Sequence, residues 1–148
     1  MNVQVKQIEI RDEERVIIEC VEVTREVELI KAFALTTGEI LTGYVDGHIV
    51  QIKLSDVYYF EAVDEKVFAY TLNDSYELKI RLYEVEMAYE DRHFLRCSKS
   101  FVLNLMLLES ISPALNGRFT AHMKNGEKII ISRQYVSKFK LRLLEGKR

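Results

Sequence analysis

A chain of 148 residues, 48% hydrophobic and 30% charged with one proline, matches one ordinary globular domain or one domain plus a small appendage. Its longest apolar runs, such as residues 57–60 and 105–108, are too short to span a membrane, residues 1–9 lack the apolar core of a secretion signal, and Cys20 and Cys97 offer neither a disulfide framework nor metal spacing. A reducing, cytoplasmic location is therefore expected, and the net charge of −2, taken whole, argues against a polyanion partner.

Residues 3–10 alternate apolar and polar side chains and residues 15–23 are rich in Val and Ile, which predicts two short strands with Asp12-Glu13-Glu14 as the turn between them. Thr24 is placed to cap a helix, with Glu26 and Glu28 in its first turn and a half, where the helix dipole favours acids. Val27, Ile30 and Ala34 form its apolar stripe, Leu29 and Phe33 widen it, and Gly38 ends it. Residues 40–45 and 48–54 flank Asp46-Gly47, a hairpin signal because both central positions need φ > 0. Residues 57–63 are almost continuously apolar, as in a strand buried on both faces. Asp64-Glu65-Lys66 turns the chain into a strand over 67–72, and Asn73-Asp74 turns it into another over 76–80. Leu82, Val85 and Tyr89 mark a second short helix.

The remainder reads as a meander. Residues 108–115 are extended, with Pro113 confining them to an edge or a break. Asn116-Gly117 turns into residues 118–124, where Phe119, Ala121 and Met123 share one face, and Asn125-Gly126 turns again into residues 128–131. Ser132 is placed to cap a last helix with Val136, Phe139 and Leu143 on one stripe.

Catalytic signatures are missing. No glycine-rich phosphate loop, Cys-x-x-Cys or His-x-x-x-His occurs, and His48, His93 and His122 lie far apart. Ser98, Ser100 and Ser132 lack the glycines of a nucleophile elbow, and Glu84 and Glu86 diverge on a helix. Neither an enzyme nor a cofactor is expected. The charge distribution is more informative: residues 1–90 hold 9 Lys+Arg against 19 Asp+Glu, whereas residues 91–148 hold 12 against 4. Such asymmetry has two readings, an anionic partner for the basic part or two parts that complement each other in one fold.

The segment Phe94-Leu95-Arg96-Cys97-Ser98-Lys99-Ser100-Phe101-Val102-Leu103-Asn104 resembles the signature of the LytTR DNA-binding domain family. Its elements are an aromatic, an Arg, a small polar residue, a basic residue, a Ser, a run of apolar residues and an Asn. Three further pieces follow the family's order: a strand carrying Phe60-Glu61-Ala62, a short helix over residues 82–95 leading into the signature, and a closing hairpin from Asn125-Gly126 to Ser132-Arg133-Gln134-Tyr135. The match spans roughly residues 45–145, each motif being weak alone and the set specific in order and spacing.

The resemblance implies a mainly β (α+β) fold of about ten short strands in small antiparallel sheets with three short helices. It implies an acidic β-β-α-like extension over residues 1–40, followed by a LytTR-type domain over 41–148. Residues 1–40 are too short for the phosphorylation-receiving domain common in this family, so a stand-alone type is expected. The implied function is a sequence-specific DNA-binding transcriptional regulator; the alternative is a non-catalytic protein-interaction module on the same fold, and a small enzyme is a distant third. In this family, loops between strands enter the DNA grooves, and Lys66, Lys99 and Arg133 carry over by position, together with Arg96, Ser98 and Ser100. Lys and Arg attract phosphates, hydroxyls add neutral hydrogen bonds, and Arg can fork onto guanine. The partner would be double-stranded DNA, bound by a homodimer on repeated half-sites, with no membrane association.

Structural roles compete with these. Arg96 can pair with an acid inside the domain, and Ser100 and Asn104 can cap backbone groups in a tight turn. Arg118, Lys124, Lys138, Lys140 and Arg142 are either solvated faces or extensions of the basic footprint. Phe60, Phe94 and Phe119 are expected in the core.

Overall fold

In a computed structural model, which describes residues 1–144, ten strands and three α-helices build two antiparallel sheets. The first α-helix is α1 (Arg25–Thr36), whose first turn is closed by the Val27 N–H donating to the Thr24 hydroxyl at 3.3 Å. Gly38 takes φ +87° just beyond it, a backbone conformation that costs a glycine nothing. The buried face of α1 is Val27, Ala32 and Thr36, with the Thr36 hydroxyl donating to the Ala32 carbonyl at 2.6 Å. Phe33, expected to widen the apolar stripe, is instead exposed, because the stripe facing the domain is offset by one position.

The two strands expected within residues 3–23 do not form: residues 1–24 hold one 3-10 turn at Arg11–Glu13 and are otherwise irregular and mostly exposed. Alternation specifies a face, but a strand also needs a neighbour for its ladder, and none lies beside this segment.

The larger sheet has seven strands in the order β2-β1-β5-β4-β3-β7-β6. These are β1 (Ile40–Val45), β2 (His48–Lys53), β3 (Tyr59–Val63), β4 (Lys66–Tyr70), β5 (Ser75–Leu78), β6 (Phe94–Arg96) and β7 (Phe101–Asn104). Asp46 and Gly47 at φ 48° and 78° close β1 onto β2. Asp64 and Glu65, at φ 48° and 65°, do the same between β3 and β4, so Lys66 is the first residue of a strand. The smaller sheet, β10-β9-β8, comprises β8 (Leu108–Pro113), β9 (Phe119–Met123) and β10 (Lys128–Ile131), with Pro113 on an edge strand.

The β3, β6 and β7 part of the larger sheet is buried on both faces, and alternation along these strands sorts residues between them. Phe60, Phe94 and Val102 point into a core closed by Leu82, Val85 and Tyr89 of α2 (Leu82–Tyr89). Their neighbours Tyr59, Leu95 and Leu103 point the other way, against Ala121, Met123, Ile129 and Ile131 of the smaller sheet and Val136 and Phe139 of α3 (Arg133–Leu144). Asn104 is buried between them with both ends of its amide used: Nδ2 donates to the Val57 carbonyl at 2.8 Å, and Oδ1 accepts from the Met106 N–H at 3.0 Å. Residues 145–148, included in the expected domain, lie outside the described residues.

Candidate nucleic-acid interface

Strand direction alone gathers two connections at one end of the molecule. β3 runs toward the Asp64-Glu65 turn; its antiparallel partner β7 starts at that end, and β6 finishes there. The Ala62 N–H donates to the Ser100 carbonyl at 2.8 Å, tying the β6–β7 loop to the end of β3. The Ser132 N–H donates to the Cys97 carbonyl at 2.8 Å, tying the same loop to the exit of β10 and the start of α3. The β8–β9 turn reaches the same place, because Phe119 pairs with Ile131 and Gly117 lies under the Arg133 side chain. A Cβ on Gly117 would meet the Arg133 Cδ at 2.9 Å.

Within this end, the β6–β7 loop is stiff. The Cys97 N–H donates to the Phe101 carbonyl at 3.0 Å, and the Ser100 N–H to the Ser98 hydroxyl oxygen at 3.2 Å. Arg96 fills the loop from inside: Nε donates to the Ser98 carbonyl at 2.7 Å, one terminal nitrogen to the Lys99 carbonyl at 2.6 Å, and the other to Glu86 Oε1 of α2 at 3.2 Å. Its side chain is largely buried, and its three hydrogen bonds shape the loop and tie it to α2. The Cys97 thiol beneath is fully buried, which pushes its pKa up to about 12 and leaves it an inert packing group.

The residues read from the sequence therefore divide. Lys99 stands exposed at the tip of the loop, with no ion pair among the described residues. Arg133 is exposed at the first position of α3, where the helix dipole adds to its positive charge. Lys66 flanks them across β3, its ammonium 3.9 Å from Glu77, a carboxylate that also holds Lys79 at 3.0 Å. The Lys79 hydrogen bond first, and the charges of Lys79 and Lys66 after it, hold the Glu77 carboxyl below its usual range. Two cations share this one acid, and the turn beside them carries the exposed Asp64 and Glu65. Ser98 and Ser100 are half-buried loop-formers, and Arg96 is the internal brace.

Among the described residues, several other basic residues of the C-terminal part do not join them. Lys124 and Lys128 bracket the β9–β10 turn, at the opposite end of the smaller sheet. On α3, Lys138 lies 3.7 Å from Glu90, the Lys140 ammonium sits 4.6 Å from the Phe119 ring centre, and Arg142 reaches His93. Arg118 is the exception: exposed and next to Gly117, it extends the patch. Asn116-Gly117 was legible as a turn; that it seats Arg133 was not. Among the described residues, no His, Cys, Asp and Glu cluster fits a metal ion, and no helix is long and apolar enough to cross a membrane.

A β-rich domain that presents strand-connecting loops, rather than a helix, at its basic end is the class this geometry defines. A model of the LytTr DNA-binding domain matches residues 47–144. Uncharacterised HTH-type transcriptional regulators of Staphylococcus aureus strains NCTC 8325 and COL are each 36% identical over 109 residues, covering 74% of both chains. A solved LytTr DNA-binding domain from Bacillus cereus, described as part of a methyl-accepting/DNA response regulator, superposes with TM-score 0.67 at 29% identity, over 70% of this chain and 95% of its own. The chain belongs to the LytTr DNA-binding domain family. The helix-turn-helix in the relatives' names has no counterpart among the described residues, where strands separate every helix from the next.

Proposed function

We propose that the chain is a sequence-specific, non-catalytic DNA-binding transcriptional regulator, with residues 41–148 as its DNA-binding domain and residues 1–40 as an appended segment. The observation that carries this reading is the convergence of Lys66, Lys99, Arg118 and Arg133 from four connections onto one end. Lys66 and Lys99 draw in phosphates, and Arg133, positioned by Gly117 and exposed at a helix start, reaches a base edge. Arg96, Ser98 and Ser100 act by holding the loop that carries Lys99. The chain acts as two copies on repeated half-sites.

The test is selection of bound duplexes from a random pool, followed by affinity measurement on the winner and on a scrambled sequence. Recovery of a common motif is the expected result; a pool that stays random removes sequence specificity. Arg133→Ala should weaken the selected duplex by about 1–3 kcal/mol and relax preference at one position, while Lys99→Ala should weaken both duplexes alike.

A further inference from the structure

We propose that residues 15–23 of one copy add as an extra strand to the β2 edge of a second copy, making a reciprocal dimer. The larger sheet has one unguarded edge. At its other end, three-residue β6 is covered by the smaller sheet through the Ser132–Cys97 bond, and β8 of the smaller sheet carries Pro113 and a bulge between Leu108 and Ser110. β2 has neither device over its six residues.

The register says which of its groups are free. The Leu54 N–H donates to the Glu39 carbonyl, and Val45 faces His48 across the two-residue turn, so Val50 and Ile52 bond to β1 while Ile49, Gln51 and Lys53 aim their N–H and C=O groups outward. No backbone bond among the described residues uses them. Ile49 on this edge is 73% exposed.

The matching element is on the same chain. Residues 15–23 have the Val and Ile content of a strand and form none, leaving Val16, Ile17, Val21 and Val23 exposed. Charge agrees: β2 carries His48 and Lys53 with no acid, and residues 15–23 carry Glu19 and Glu22 against Arg15. A second copy is the occupant because the segment enters α1 at Arg25, whereas β2 ends beside Glu39, beyond the other end of that 12-residue helix. That separation is about 18 Å.

The test is the oligomeric state of the full chain without DNA, by light scattering during gel filtration. Wild type should run with the mass of two chains. Val21→Pro lies outside the folded core, and Gln51→Pro removes an N–H that β1 does not use; each should weaken association about tenfold or more, with unchanged circular dichroism. Ile49→Lys, on the solvent face, checks the edge without touching the backbone. Mixing Val21→Pro with Gln51→Pro pairs one intact edge with one intact segment, so dimer should partly return. A monomeric wild type, with or without protected β2 amides, overturns the proposal, as does a dimer that either variant leaves intact. Because no arm contains DNA, its failure leaves the DNA-binding reading untouched.

Discussion

Two residues carry consequences that their sequence context does not announce. His93 takes φ 69° behind β6, more than half withdrawn from water, and accepts a 3.4 Å hydrogen bond from Arg142 on Nδ1. Burial first, then the charges of Arg142 and Arg25, bring its pKa from 6.5 down to about 4. The folded state thus holds His93 neutral where the unfolded chain would protonate it. Stability from this site is complete above pH 6.5 and is lost as pH falls toward about 4. Allowing for partial exposure, the loss should be on the order of 1–2 kcal/mol, and His93→Asn, which tolerates the left-handed backbone, should flatten melting temperature against pH in that interval. A slope unchanged in the variant would assign the effect elsewhere. Arg96 is the second. Lysine keeps its charge but cannot reach two loop carbonyls and Glu86 together, so Arg96→Lys should cost about 1–3 kcal/mol by thermal denaturation and lower DNA affinity without touching the duplex.

Among the elements, β1 and β5 meet at a place that admits no side chain. A Cβ on Gly43 would collide with the Ile52 side chain and lie 2.8 Å from the Tyr76 Cβ. Gly43→Ala should therefore destabilise by about 1–3 kcal/mol, read as a lowered urea midpoint with unchanged slope. Most elements were legible because their signals are local: Thr24 as a cap, Asp46-Gly47 as a hairpin turn, and the Leu82, Val85, Tyr89 stripe of α2 all appear where the sequence places them. The misread parts depend on distant chain. Residues 3–23 look like strands because nothing in a sequence reports that a partner is missing, and Phe33 looks buried because its helix face is chosen by residues 54–56 and 90–92. Within the site, Lys99 and Arg133 could be chosen by position and charge. That Arg96 pairs with an acid inside the domain is one of two readings the sequence leaves open; which acid it meets, a carboxylate ten residues away on α2, was not legible.

At the scale of the whole molecule, charge is segregated by topology more than by sequence half. The C-terminal part is strongly basic, yet Lys124 and Lys128 sit at the far end and Lys138 faces Glu90. The proposed patch is a subset joined by Lys66 from the acidic part. If a dimer neutralises about six phosphates, log affinity should fall with log salt at a slope near −5. Lys124→Ala should leave that slope unchanged, whereas Lys99→Ala should reduce it by about 1 per copy. An affinity indifferent to salt would dissociate this patch from phosphate altogether.

The bond from the Ser132 N–H to the Cys97 carbonyl clasps the margins of the two sheets directly behind Lys99 and Arg133. The two cations thus form a calliper whose opening is set in the free protein. If the loops keep this arrangement on contact, the entropy of closing such a gap is not charged at that moment. Encounter rates should then be nearly alike for good and poor ligands, and discrimination should be expressed in how long each stays bound.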